Sequence, residues 1–215
     1  MNAKIILADD HRMVREGLRS LIESQPGLRV IAEAQDGLEA VALSKKHGPE
    51  LVVMDISMPN LNGLEATRRI KGAGRRTKVI VLSMHADRRY VAEAFKAGAD
   101  GYLLKDSAFG ELSQAIKTVL LGKRYLSPGI ADTLIEGFLA RKDPAQPSAY
   151  NQLTVREREV LQMMAEGQAT KQIAKVLNLS VKTIETYRKQ IMDKLDIHSV
   201  ARLTKYAIRE GLTDV

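Results

Sequence analysis

Five short apolar runs punctuate the first half of the chain, and after each one apolar residues return every three or four positions. The runs are Lys4 to Ala8, Leu28 to Ala34, Leu51 to Asp55, Val79 to Ser83 and Gly101 to Lys105. Their length and β-branched content predict buried strands. The plainest is Leu51-Val52-Val53-Met54, apolar at every position, as in a parallel sheet covered on both faces. The stretches between them set Val14, Leu18, Leu21 and Ile22 on one helix face. Later stretches do the same with Leu38, Val41 and Ala42, with Leu64, Thr67 and Ile70, with Val91, Ala94 and Phe95, and with Leu112, Ala115, Ile116 and Val119. Pro26-Gly27, Gly48-Pro49 and Gly98 stop helices, and Asp36-Gly37 and Asn62-Gly63 mark turns. Strict strand–helix alternation with right-handed crossovers predicts an α/β fold. It would be a five-stranded, doubly wound parallel sheet of strand order 2-1-3-4-5.

What ends the strands matters more than what fills them. Strands one, three, four and five close on Asp9-Asp10, Asp55, Ser83 and Lys105. In an open α/β sheet, the carboxyl ends of parallel strands form the ligand-binding crevice. Taken singly, a strand-end Asp is an ordinary cap, Ser83 a turn hydroxyl and Lys105 a surface lysine. Together they place three carboxylates, a hydroxyl and an ammonium at one edge. Crowded carboxylates raise each other's pKa values. A hard divalent cation with oxygen ligands relieves that conflict, and Mg2+ is the usual choice where a few carboxylates and phosphate oxygens meet. A phosphoryl group then fits, with the cation and Lys105 holding its oxygens while Asp55 attacks phosphorus in line. Two other phosphate sites are absent. Ala8-Asp9-Asp10-His11 stands where a dinucleotide fold needs its glycines, and no Walker-type glycine loop occurs.

Beyond Gly122 the pattern changes. Ser127-Pro128 predicts a helix start, with Ile130, Leu134, Ile135, Phe138 and Leu139 as an apolar stripe. Residues 142–150, with Pro144 and Pro147, predict an exposed tether. This divides the chain into residues 1–122, a connecting helix and tether over 123–150, and a small all-α unit of four helices over 151–215. Thr154-Val155-Arg156-Glu157 is a capping box opening a helix with Val160, Leu161, Met164 and Ala165 inside. Thr170 to Leu177 is a short helix burying Ile173, Ala174 and Leu177. Ser180 caps a longer one to about Leu195, and Ser199 caps the last, with Leu203, Tyr206, Ala207 and Ile208 inward. In the third helix Ile184, Tyr187 or Arg188, Ile191 and Leu195 form the inner face, and Lys182, Glu185, Thr186 and Lys189 the outer. A short helix, a tight turn and a capped helix with a polar, basic outer face is helix-turn-helix architecture. Lys182, Arg188, Lys189 and Lys194 supply cations for phosphates or guanines.

Charge modifies this picture only slightly. The 215 residues carry a net +7, which suits a nucleic-acid partner without requiring one. Residues 151–215 hold 11 Lys and Arg against 8 Asp and Glu, a modest basic field that predicts binding by two copies. The absence of Cys excludes disulfides, thiolate metal sites and cysteine nucleophiles. Met1-Asn2-Ala3-Lys4 runs straight into a strand, and no apolar run approaches the length of a membrane span. A cytoplasmic protein without membrane contact is expected.

Asp9-Asp10, Asp55 with Met58-Pro59 and Gly63, Ser83 and Lys105 together resemble the receiver domain of bacterial two-component response regulators, which has the flavodoxin/CheY-like sheet. Leu153-Thr154-x-x-Glu157-x-Glu159-Val160-Leu161, Ile173-Ala174 and Ser180-Val181-Lys182-Thr183-Ile184-Glu185 resemble the LuxR-type helix-turn-helix. The whole chain thus resembles the NarL/FixJ family. The resemblance implies phosphotransfer from a sensor histidine kinase to Asp55, with Mg2+ held by Asp10, Asp55 and the backbone carbonyl of Ser57, and Asp9 acting mostly through water. Ser83 would bond the phosphoryl group, and Tyr102 would be the aromatic that turns inward when Ser83 moves. Ser57 and His85 would flank the phosphoryl group. Asp106 follows Lys105 where many receivers carry proline, and a cis bond there without Pro would cost roughly 2.5–4 kcal/mol. In the DNA head, Glu185, Thr186 and Lys189 would face bases, Lys182, Thr183 and Arg188 would lie nearer the backbone, and Ser199 to Glu210 would be a dimer contact. Promoter DNA, a second copy when phosphorylated, and RNA polymerase are the implied partners. The receivers would pair through the fourth and fifth helices with Tyr102, or through the first and fifth. A second route is release of a receiver that covers the third helix.

Two rival functions remain at this level. A phosphatase working through an aspartyl phosphate would need a second Asp two residues on, as in D-x-D, where this chain has Asp55-Ile56-Ser57. An interaction protein acting through its receiver alone would show no DNA affinity even as a dimer.

Overall fold

The structure, a computed structural model, describes residues 3–74, 76–131 and 152–213. The chain forms two compact units, which are taken separately.

The first unit is a parallel sheet with helices between its strands. Its elements are β1 (Ala3–Ala8), α1 (Arg12–Glu23), β2 (Leu28–Ala34), α2 (Gly37–His47), β3 (Leu51–Asp55), α3 (Gly63–Gly72), β4 (Lys78–Ser83), α4 (Arg88–Lys96), β5 (Gly101–Leu104), α5 (Lys105–Leu120) and β6 (Tyr125–Leu126). The strand order is β2-β1-β3-β4-β5-β6, and every neighbouring pair is parallel. The five strands read from sequence therefore lie in the expected order, with a sixth beside β5. Tyr125 N–H donates to the Asp100 carbonyl at 3.1 Å and Ser127 N–H to that of Tyr102 at 3.0 Å. Lys105 is the first residue of α5 rather than the last of β5, and the Lys105–Asp106 bond is trans.

Alternation along each strand distributes the core. Ile5 and Leu7, Leu51 and Val53, Ile80 and Leu82, and Leu103 form one cluster with Leu18 and Ile22 of α1 and Leu112, Ile116 and Val119 of α5. Each of these side chains is essentially solvent-free, and burying one contributes about 1.5–3 kcal/mol. Caps fix where the helices begin. Asp36 accepts from Glu39 N–H and Asn62 from Glu65 N–H, so both turn pairs serve as N-caps. After β6 the chain is helical over 128–131. Leu134, Ile135, Phe138, Leu139 and the Pro144–Pro147 tether lie outside the described residues.

The second unit has α6 (Val155–Ala165), α7 (Thr170–Leu177), α8 (Val181–Leu195) and α9 (Val200–Arg209). Its core joins Leu153, Val160, Leu161 and Met163 to Ile173, Leu177, Ile184, Ile191, Leu203 and Tyr206. Met163 fills the inward position expected of Met164, which is only partly buried. Tyr187 packs on the core while Arg188 is exposed, so the tyrosine is the inward member of that pair. Asn178, at φ 54°, makes the tight turn between α7 and α8; Asn tolerates this left-handed conformation better than most residues. Ser180 caps α8 by accepting from Thr183 N–H at 3.0 Å, whereas Ser199 holds the corresponding position of α9 without a side-chain cap bond. No helix among the described residues is long and apolar enough to cross a membrane.

Candidate functional site

Sheet register assembles the crevice. Ala8 is level with Met54, Asp55 with Leu82, and Ser83 with Leu104. The residues that end each strand therefore step across one edge, and Lys105, opening α5, closes the row. Lys105 Nζ lies 2.7 Å from Asp55 Oδ2 and 3.1 Å from Asp9 Oδ2. Asp9 and Asp55 are each 1% exposed. Asp10 stands at the lip with its side chain 34% exposed, and His11 Nδ1 lies 2.8 Å from its Oδ1. Asp9, Asp10, His11 and Asp55 each offer a ligand atom, all within 4.8 Å of one another. The carboxylates are hard oxygen donors, a set that suits Mg2+. His11 was not foreseen at the site, though its place directly after the acidic pair was a signal for it.

Burial dominates the electrostatics. It pushes Asp55 up to about 7, Lys105 opposing it and Asp9 adding to it. Burial pulls the Lys105 ammonium down, but Asp55 and Asp9 outweigh it and raise it on balance. The pocket thus holds a fixed cation beside a carboxyl that ionises near neutrality.

The turn after β3 is shaped by Gly63. Its N–H donates to the Ile56 carbonyl at 2.8 Å, and a Cβ built on it would sit 1.9 Å from the Asp55 carbonyl oxygen. Gly63→Ala must therefore displace backbone directly under Asp55. A loss of about 1–3 kcal/mol or more is expected, read as a lower unfolding temperature; an unchanged transition would show that the turn yields freely. Ser57 lies in this turn, partly buried.

Ser83 and Tyr102 meet around His85. Ser83 Oγ accepts from His85 N–H at 3.0 Å, and Tyr102 OH donates to the His85 carbonyl at 2.8 Å. Tyr102 is fully buried. Burial pushes it up to about 12, against a hydrogen bond with Ser83. The His85 ring stacks on Tyr90 of α4, with centroids 4.3 Å apart. His85, which the resemblance sets beside the phosphoryl group, thus joins both proposed switch residues to α4.

In the second unit Lys182, Glu185, Thr186, Arg188 and Lys189 are exposed on α8, and Thr183 is half-buried. Thr183 Oγ1 is 2.8 Å from Ser180 Oγ and so belongs partly to the cap. Lys194 stands apart from this group, its Nζ donating to Glu157 Oε2 at 2.7 Å. Glu157 is 2% exposed and also accepts from Thr154 N–H at 2.6 Å, completing the capping box. Glu157→Ala removes the box and the ion pair together and should destabilise this unit by about 1–3 kcal/mol. Lys194→Met, at a half-exposed cation, should cost less. Thermal unfolding of both variants checks the order.

A parallel sheet with this acidic crevice, followed by a helix-turn-helix unit, defines a signal-receiving domain coupled to a DNA-binding head. Two family models match accordingly: the response regulator receiver domain over residues 5–117 and the bacterial regulatory proteins of the luxR family over residues 151–207. The chain belongs to the response regulators, and within them to the NarL/FixJ type that carries a LuxR-like head. It is 38% identical to the response regulator UvrY of Escherichia coli K12 over 209 residues, 97% of this chain and 94% of UvrY. A LuxR-family regulator from Aurantimonas has 43% identity and a TM-score of 0.62, over 65% of this chain and 99% of that one. RcsB of Salmonella typhimurium has 28% identity and a TM-score of 0.65, over 97% of this chain and 98% of its own. Another RcsB structure, with a TM-score of 0.60, holds two RcsB dimers on two parallel DNAs.

Proposed function

We propose that the chain takes a phosphoryl group onto Asp55 from the phosphohistidine of a sensor kinase and, so modified, binds promoter DNA as a dimer. The observation that carries this reading is the contact of Lys105 Nζ with both Asp55 and Asp9. The contact puts a fixed cation beside a buried strand-end carboxyl, within an acidic set that suits a divalent ion. Asp9, Asp10, Asp55 and the Ser57 carbonyl would hold Mg2+. When bound, Mg2+ neutralises the carboxylates and supplies positive charge to phosphoryl oxygens.

The rest is the work of side chains. Ionised Asp55 forms the new O–P bond as the donor's P–N bond breaks, the imidazole leaving with that electron pair. Lys105 neutralises charge on the transferred oxygens. The Ser83 oxygen is already engaged as an acceptor by His85, and its hydroxyl proton turns toward the phosphoryl group. That movement releases its bond to Tyr102, shifting the population of the β4–α4 segment and of β5. β5 passes the change to the start of the connector, because the Tyr102 carbonyl holds Ser127 and Ser127 Oγ donates to Glu111 of α5. Pairing of two receivers then raises the effective concentration of two DNA heads, as fits the similarity to RcsB. The chain's own chemistry is confined to phosphoryl uptake and loss, and its donor and target place it in the cytoplasm.

Incubation with acetyl phosphate and Mg2+ should add one phosphoryl group to the intact mass, labile to alkali and mapping to Asp55. A label on any other residue would remove the assignment.

A further inference from the structure

A buried guanidinium stands directly behind the acidic crevice. Arg15, in the first turns of α1, is 7% exposed, and arginine is rarely so enclosed unless paired. Its Nη1 donates to the Asp9 carbonyl oxygen at 2.6 Å, and its Nε to Glu33 Oε2 at 2.7 Å. Glu33, one residue before the end of β2, also accepts from Arg19 Nη1 at 2.8 Å. On the other side of the same residue, Asp9 N–H donates to the Ala34 carbonyl at 3.2 Å. The backbone of Asp9 is therefore held at both polar groups, one by β2 and one by α1.

The carbonyl that Arg15 grips belongs to the peptide joining Asp9 to Asp10. Fixing that peptide plane fixes the N–Cα bond of Asp10 and so narrows the directions in which its side chain can leave the chain. Asp10 is the most exposed of the three carboxylates and has no strand to hold it, since β1 ends at Ala8. Glu33 neutralises the guanidinium, so the field of Arg15 in the crevice is small and its geometry is what remains. A planar fork can serve Asp9 and Glu33 at once along two fixed directions, which an ammonium cannot.

We infer that Arg15, with Glu33 as its counter-ion, is a positioning residue for the divalent-cation site, orienting the Asp9–Asp10 peptide so that both carboxylates converge on one cation. The inference rests on the Mg2+ reading above and adds residues outside the ligand set to it. Groups that orient metal ligands from behind typically change affinity by about 10- to 100-fold when removed.

Calorimetric titration of Mg2+ into the full chain tests this, alongside thermal unfolding in metal-free buffer. Arg15→Lys keeps the cation and most of the stem and should weaken Mg2+ by about 10-fold or more. Glu33→Gln leaves the Asp9 bond but loosens its counter-ion, and should weaken Mg2+ less. Arg19→Met removes the other partner of Glu33 without touching Asp9, and should leave Mg2+ affinity unchanged. Lowered stability with native Mg2+ affinity in both Arg15→Lys and Glu33→Gln would show that Arg15 only holds α1 against β2, and would overturn the inference. An Arg19→Met loss as large as that of Arg15→Lys would do the same. A native chain that takes up no Mg2+ would bring down the metal reading itself, and this inference with it.

Discussion

An Asp55→Asn chain takes up no phosphoryl group at any Mg2+ concentration, yet it folds, and in metal-free buffer at pH 8 it is more stable than the native chain. The first part follows from the loss of the nucleophile. The second follows from burial, which raises Asp55 to about 7 in the folded crevice against about 4 in an unfolded chain. A carboxyl raised in this way binds its proton more tightly when folded. Its contribution is fully present below pH 4 and is lost as pH climbs through about 7. Above that, the native crevice holds an ionised Asp55 close to Asp9, with Lys105 between them offsetting only part of the cost. Asparagine has no charge to desolvate. Native stability should therefore fall by about 1–4 kcal/mol between pH 4 and 8 relative to Asp55→Asn, by urea unfolding at each pH. Parallel curves would mean that Lys105 fully offsets burial. By the same linkage, Mg2+ affinity in the native chain should rise with pH up to about 7 and flatten above it, because the ion needs the ionised carboxylate.

Removing cations from α8 should separate DNA contact from architecture. Lys182 and Lys189 are exposed, and neither belongs to the core that holds α8 in place. Lys182→Ala and Lys189→Ala together should cut DNA affinity by tenfold or more at moderate salt. Each lost phosphate contact makes the dependence of log K on log salt shallower by about 0.9, so Lys182→Ala, nearer the backbone, should cost a dimeric complex about 1.8, whereas Lys189→Ala, facing bases, should lower affinity with less change of slope. A change of only about 0.9 for Lys182→Ala would mean that one head binds. Lys194→Met should leave the slope alone, because its ammonium is committed to Glu157. Glu185→Ala should change sequence preference more than slope, since a carboxylate reads bases rather than phosphates.

Much of this was legible because strand ends are legible. Apolar runs that stop on Asp9, Asp55, Ser83 and Lys105 fix a crevice once parallel order is granted, and the register carries them to one edge. β6 escaped because two residues have no period to read. Met163 and Met164 exchanged roles because neighbouring positions on α6 differ by about 100°, and a short helix leaves the phase of its face loosely set. Lys194 was grouped with the outer cations by charge, yet it lies about 120° around α8 from Lys182. The capping carboxylate that claims it is 37 residues away, a pairing that only tertiary structure supplies. Arg15 was invisible, and His85, set beside the phosphoryl group by resemblance alone, showed no link to Tyr102, for a related reason. Each acts through a backbone carbonyl, Arg15 at Asp9 and His85 toward Tyr102, and backbone partners leave no mark in a pattern of side chains.

Control of the DNA head by the crevice is read from DNA retention at fixed salt, with and without Mg2+ and beryllofluoride as a phosphoryl mimic, following oligomeric state in the same samples. Tighter binding together with dimer formation, both absent in Asp55→Asn, is the predicted result. Strong binding that ignores the mimic would contradict it, leaving a head that works alone and an Asp55 that regulates something else or nothing.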